Sequence, residues 1–358
     1  MTRLIEILIS LAIVAVLFLV VGLALPSSRH LSEKVETNRK MTIVFDTINS
    51  LRRFKDWNPL VLRDPRMQLK LSGPDAGVGA RLDYVSDVPQ LGTGSWEIVD
   101  SQPGQSVTYA LTNPQRGHDK RSKFTFKPTG RAGRNVEISQ SYDVAYGFDL
   151  LGRYAGMYVS RHVGDDLKLG LLRLTNMLAT VPNVDYRVAG SKLAGLKVVQ
   201  RPAEDLLVVS AGSIERNNET IKASMKANME WIKRSMDASG LEPAGPMRIV
   251  STELGRENYT FDVAQPVQRK DAAGAAGGEL AGLKLQGPVK YVHTQPSRAA
   301  SASYTGYMAE LENVRNALRA WALTQGYEAT DRPYEVYKNG IDSAFTETGE
   351  YEVFWNLK

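Results

Sequence analysis

Four histidines, His30, His118, His162 and His293, are the only imidazoles in 358 residues. None is spaced from another as HExxH or a similar metal-binding pair would require. Cysteine is absent, which removes thiolate nucleophiles, zinc-thiolate sites and disulfides and leaves the redox compartment open. Neither a metal nor a cofactor is expected, and no residue is assigned a catalytic role. Tyrosine and carboxylate remain. Asp143, Asp165 and Asp166 have no partner in sequence and read as solvated faces of helix and loop. Glu335 and Tyr337 sit two apart in a strand-like run, so a carboxylate and a phenol share one face. Together they could hold a cation through charge and aromatic ring. In the first half Trp57, Trp96, Tyr109, Phe124, Phe126, Tyr142, Tyr146, Tyr154 and Tyr158 supply aromatic surface for an apolar pocket. For any one of them ordinary core is the favoured explanation.

The elements that would position these residues begin with an anchor. From Ile7 to Leu25 the chain is apolar except for Ser10 and Gly22. Counted from Leu4 it reaches about 33 Å as a helix, enough to cross the hydrocarbon layer. Residues 1–28 are therefore expected to be a single transmembrane anchor, touching the bilayer through residues 4–25. A cleaved signal peptide is the competing reading; the run is long for one, and Leu23-Ala24-Leu25-Pro26 lacks a small-x-small cleavage pattern. Arg3 and the free amino terminus favour an N-terminus inside, against Arg29, Lys34, Arg39 and Lys40 beyond the helix. The expectation is a bacterial-type inner membrane with the soluble domains periplasmic. At this length two soluble domains are expected. The net charge of +5 is dispersed and does not imply nucleic acid.

The first soluble domain, 29–180, opens with a strand-like entry and a helical stretch from Thr42 to Phe54, where Ile43, Val44, Ile48, Leu51 and Phe54 recur at three- and four-residue steps. Pro59 forbids its continuation. Short alternating segments follow at Gln68–Leu71, Gly79–Tyr84, Gly94–Val99, Val107–Leu111, Lys123–Lys127 and Asn135–Tyr142, with turns short enough for antiparallel neighbours. A helix is then expected from Leu151 to about Leu178, interrupted by Gly164 and Gly170. Helix, antiparallel meander and long terminal helix is the order of the START-like helix-grip fold. The residues Val44-Phe45-Asp46-Thr47-Ile48, Trp57-Asn58-Pro59, Gly77-Val78-Gly79-Ala80, Trp96-Glu97-Ile98-Val99 and Gly170-Leu171-Leu172-Arg173-Leu174 resemble the SRPBCC (polyketide cyclase/dehydrase and lipid transport) family. That resemblance implies a cavity between sheet and long helix for lipids, polyketides or other apolar ligands. Trp57, Trp96, Tyr142 and Tyr158 are its candidate ligand-binding residues.

The second soluble domain, 184–358, carries an internal repeat of roughly ninety residues, about 195–267 and 288–358. In each unit two strands precede a helix and two follow it. The helices are expected at Asn218–Ser239 and Ala309–Thr324, with Gly240 and Gly326 where C-cap glycines belong. Asp271 to Gly278 reads as a flexible loop. Tyr304-Thr305-Gly306-Tyr307, Trp321, Pro333-x-Glu335-x-Tyr337 and Tyr351-Glu352-Val353-Phe354-Trp355 resemble the GyrI-like, or AraC-type effector-binding, domain. The resemblance implies a cleft for drug-like, often cationic and aromatic ligands, with a buried glutamate as counter-charge. Glu335 takes that position, and Tyr337, Tyr304, Tyr307, Trp321 and Trp355 are the residues expected around it. The matching position of the first repeat is Arg248, which predicts opposite charges on the two sides of the cleft.

The expected fold class is thus α+β: a helix-grip (START-like) domain plus a duplicated α+β GyrI-like domain behind one transmembrane helix. The expected function is membrane-anchored, non-catalytic binding of small apolar or amphipathic molecules. Two alternatives stand beside it: a ligand sensor or regulator, and a cyclase- or hydrolase-type enzyme using the tyrosines and glutamates of a pocket.

Overall fold

A computed structural model describes residues 2–187, 193–255, 257–270 and 279–358. The stretch from Asp271 to Gly278, expected to be a loop, lies outside the described residues. The chain divides into two compact units, Met1–Asn183 and Val184–Lys358.

In the first unit, helix α1 (Thr2–Ala24) carries its apolar side chains outward, Leu4, Val14 and Leu23 among them. After it come β1 (Ser28–Thr37), α2 (Met41–Ile48), α3 (Phe54–Trp57), α4 (Leu60–Arg63), β2 (Gln68–Ser72), β3 (Arg81–Val85), β4 (Thr93–Gln102) and β5 (Ser106–Thr112). Next are β6 (His118–Thr129), β7 (Asn135–Ala145), α5 (Leu150–Gly156) and α6 (Val159–Ala179). The seven strands form one sheet in the order β1-β7-β6-β5-β4-β3-β2. All its neighbours are antiparallel, so short turns suffice throughout except for the return of β1 beside β7.

Strict alternation on β7 turns Val136, Ile138, Gln140, Tyr142 and Val144 inward, and on β6 Ser122, Phe124 and Phe126. One end of this inner face is apolar and the other polar. At the apolar end, edge-to-face rings run from Phe54 through Trp96 and Tyr109 to Phe124 and Trp57, with centroids 5.2–5.9 Å apart. Such pairs add to the stabilisation from area burial alone.

Two expected helices are each divided. The stretch from Thr42 to Phe54 stops after Ile48, because the Asn49 carbonyl accepts the Gly77 amide at 2.8 Å and the Ser50 hydroxyl donates to the Asp75 carbonyl at 3.1 Å. The β2–β3 loop therefore takes the Asn49 carbonyl that helix continuation would use. The stretch from Leu151 to Leu178 breaks at Met157-Tyr158, not at Gly164 or Gly170, both of which lie buried within α6. Strands run longer than expected, because apolar alternation marks only their buried part while the ladder continues into polar residues.

The second unit holds β8 (Leu193–Arg201), β9 (Asp205–Glu215), α7 (Asn218–Ser239), β10 (Leu241–Pro243), β11 (Arg248–Leu254) and β12 (Asn258–Arg269). It continues with β13 (Lys290–His293), β14 (Ser297–Thr305), α8 (Leu311–Thr324), β15 (Ala329–Tyr337), α9 (Gly340–Ser343) and β16 (Glu350–Leu357). The sheet order is β13-β9-β12-β11-β15-β16-β14-β8, with β10 beside β12. Helix α7 covers the expected span. The Asn217 side chain accepts the amides of Glu219 and Thr220 at its start, and Gly240 ends it at φ 66°, a left-handed position where glycine carries no Cβ penalty.

One expectation fails here on strand geometry. Arg248 lies opposite Val336, and Ile249 opposite Glu335. Since cross-strand neighbours share a face and successive residues do not, Arg248 and Glu335 project from opposite faces of the sheet. They cannot be two sides of one cleft.

Candidate functional site

Between the inner face of the first sheet and the helices lies a cavity of about 310 Å³. Trp57, Asn58, Pro59, Tyr84, Trp96, Ser122, Gln140, Tyr142 and Tyr146 line it from one side. Tyr158, Val163, Asp166, Leu167 and Gly170 line it from the start and middle of α6. The structure thus brings Trp57, Trp96, Tyr142 and Tyr158 to one cavity. Tyr109 and Phe124 are fully buried behind the wall as core, with Phe126 packed on Phe45. Tyr154 is turned toward α1, stacked on Phe18.

Local chemistry fixes the wall. The Asn58 side chain accepts the Leu60 amide at 2.9 Å, an Asx turn that aims Pro59 at α6. Arg173 of α6 donates to the carbonyls of Asp56 and Trp57 at 2.9 and 3.3 Å. A Cβ at Gly170 would stand 3.2 Å from Pro59 Cδ, so glycine there permits the close approach. At Gly94 a Cβ would overlap the Thr112 carbonyl and the Tyr84 ring; glycine makes room for Tyr84 at the cavity. Gly94→Val should therefore lower stability by about 1–3 kcal/mol through overpacking. Urea denaturation of the full chain checks it, and an unchanged midpoint would refute it.

The polar groups are few and incompletely satisfied. Gln140 Nε2 donates to Ser122 Oγ at 3.0 Å, while Gln140 Oε1 and Trp57 Nε1 are buried without a hydrogen-bond partner among the described residues. Whichever way the amide is turned, one of its polar atoms stays free. Burial, with Tyr146 adding to it, pushes the Tyr142 hydroxyl up to about 12, and burial likewise raises Tyr84 and Tyr146. These phenols are protonated near neutrality. At the rim Arg63 holds both oxygens of Asp166 at 2.7 Å. Desolvation nevertheless keeps the Asp166 carboxyl above its ordinary range, outweighing Arg63.

Asp166, read from sequence as solvated, is thus part of the cavity. Gln140, Ser122 and Arg63 were not singled out. For Gln140 the signal was available: a glutamine at an inward position between Ile138 and Tyr142 breaks the apolar alternation of β7.

In the second unit the six candidate residues do not converge on one site. Glu335 is 0% exposed, and Arg315 of α8 clasps both its carboxylate oxygens, Nη2 to Oε2 at 3.0 Å. Arg315 also donates to the Tyr259 hydroxyl at 3.3 Å. Tyr337 is buried beside them, its hydroxyl without a partner among the described residues and raised well above its ordinary pKa by burial. Tyr304 and Tyr307 border a separate, more open pocket of about 320 Å³ together with Asp185 and Glu310. Trp321 packs on the edge of the core, and the Trp355 indole donates to the Thr330 carbonyl. Arg315 was missed although α8 signals it: a charge three residues before Leu318 and four after Leu311 stands on the buried stripe. Among the described residues no group of three or more His, Asp or Glu side chains is placed to hold a metal ion.

No curated protein matches the chain. Among solved structures, the C-terminal domain of EcmrR is 15% identical, covering 46% of this chain and 97% of that one at a TM-score of 0.35. Norcoclaurine synthase from Thalictrum flavum is 10% identical, covering 44% of this chain and 90% of that one at a TM-score of 0.34. At such scores neither likeness carries an argument. Residues 28–178, which hold the whole sheet, the cavity and all but the last residue of α6, match the model of the family described as polyketide cyclase / dehydrase and lipid transport.

Proposed function

We propose that the chain binds a small amphipathic molecule in the cavity of its first unit, at a membrane into which α1 inserts. The observation that carries this reading is the pairing of an aromatic cavity with buried polar atoms of Gln140 and Trp57 that have no partner among the described residues. Buried polar groups are normally hydrogen-bonded, so a ligand bearing one donor and one acceptor would complete the site, its apolar part lying against Trp96 and Leu167. Around neutrality Tyr142 offers a hydroxyl and not a phenolate, which suits binding better than proton abstraction. Helix α1 is apolar and long enough to span, with a mean hydropathy of 3.1 over its most apolar 18-residue stretch. The proposed location is a single-pass inner-membrane protein with both units periplasmic.

The test is native mass spectrometry of the full chain released from detergent, with identification of any co-purifying molecule. A bound amphiphile that is lost from Leu111→Trp, which fills the cavity, is the expected result. An empty chain that takes up no fatty acid or aromatic amphiphile would sink the reading.

For the second unit the proposal is two copies of one strand–strand–helix–strand–strand unit, β8 to β12 and β13 to β16. The order of its sheet supports this. It reads the same from either edge once each first strand is exchanged between copies. A GyrI-like effector site in this unit is favoured at the pocket of Tyr304 and Tyr307, where Asp185 and Glu310 would attract a cationic aromatic ligand. Quenching of tryptophan emission by such a cation, abolished in Tyr307→Ala with Glu310→Gln, would support it.

A further inference from the structure

Helix α5 grips the end of α1. Gly22 is buried on an otherwise exposed helix, and a Cβ there would lie 3.3 Å from the Tyr154 ring and 3.4 Å from the Leu150 side chain. The Tyr154 ring stacks on Phe18 at 4.6 Å, and its hydroxyl donates to the Phe18 carbonyl at 2.8 Å. Arg153 Nη1 donates to the carbonyls of Leu23 and Leu25 at 2.9 and 3.1 Å, satisfying groups that a helix C-terminus leaves open. Phe18 lies six residues before the end of α1, about 9 Å down its axis at 1.5 Å per residue. A helix just long enough to span places that contact below the headgroups.

The segment so held is apolar and exposed. Phe148 is 90% exposed, Leu151 52%, Met157 53% and Tyr158 62%. Scattered exposed apolar residues need no explanation, but a cluster beside a membrane-spanning helix does, and tyrosine favours the membrane–water boundary. The same segment is the rim of the cavity, since Ala155 and Tyr158 line it. We propose that this rim is immersed in the surface of the bilayer that α1 enters, so that the cavity takes a membrane-dissolved amphiphile sideways from the leaflet and not from water. The inference rests on the anchor and cavity readings above.

The chain has no cysteine, so single labels are clean. Met157→Cys, Val14→Cys and Lys127→Cys, each carrying an environment-sensitive fluorophore, are reconstituted as full chains in phosphatidylcholine–phosphatidylglycerol vesicles holding a nitroxide on the acyl chain. Labels at Val14 and Met157 should lose most of their emission, while Lys127, at the opposite end of the β6–β7 ladder, stays bright. Quenching at Val14 with a bright label at Met157 leaves the anchor standing and overturns the immersed rim. Bright labels at both positions mean that the anchor reading itself fails, and the proposal falls with it. The second readout is capture of cis-parinaric acid preloaded into the vesicles. Phe148→Asp with Met157→Asp, neither residue lining the cavity, should slow capture at least about tenfold, the effect of losing roughly one side chain's apolar burial. The final amount captured should be unchanged. Equal rates would overturn the proposal.

Discussion

Replacing Arg315 by methionine while leaving Glu335 in place should destabilise the second unit by about 3–5 kcal/mol, the usual consequence of leaving a buried charge uncompensated. Glu335 is wholly enclosed and the Arg315 side chain is 9% exposed. Burial works against the Arg315 charge, yet Glu335 and the surrounding tyrosines hold it firmly protonated. The two charges therefore stand or fall together. The double variant Arg315→Met with Glu335→Leu should recover most of the loss, because an apolar pair of similar volume is often neutral or better in such a position. Urea denaturation of the full chain followed by tryptophan emission reads both. A single variant as stable as the parent would show that Glu335 is not the enclosed partner described above. A double variant as unstable as the single would show that packing, and not charge, holds the place.

The second large effect concerns the cavity. Ser122→Ala with Gln140→Leu removes a hydrogen bond together with the free amide atom beside it. Replacing both partners of a buried bond by apolar groups is nearly neutral or stabilising, so the unliganded chain should be unchanged or up to about 1 kcal/mol more stable. Retention of the proposed amphiphile should nevertheless drop by about tenfold or more, since one lost buried hydrogen bond corresponds to roughly 1–3 kcal/mol. Opposite signs for stability and binding would mark Gln140 as kept for its ligand. Parallel losses would mark it as structural, and the proposed polar contact would be withdrawn.

Much of the first unit was legible because its strands alternate cleanly. On β7 the period of two predicts that Tyr142 faces inward, and Trp57 and Trp96 were marked by motif and by size. The helix breaks were not legible, because the bonds that stop α2 come from Gly77 and Asp75, residues far along the chain. Ion pairs across long separations were equally hidden: nothing local connects Arg63 to Asp166, or Arg315 to Glu335. In the second unit the resemblance implied a buried acid at Glu335, and Glu335 is enclosed. Its counter-ion was expected to be a ligand, because sequence shows which residues share a strand face but not which helix covers it. Arg248 was assigned to the same cleft by repeat alignment, and a single step in register sends it to the other face.

Only Leu25, Pro26 and Ser27 separate α1 from β1, and β1 is bonded to β7 along ten consecutive pairs from Ser28 to Thr37. A tether this short has no slack. Flexible linkers let an anchored domain tumble and sample a hemisphere of solution; here the sheet must tilt and turn as α1 does. With α1 inserted as proposed, encounters with partners become a matter of diffusion within the plane of the membrane and of the helix's own rotation, and lipid thickness, by setting helix tilt, becomes a setting for how the first unit is presented.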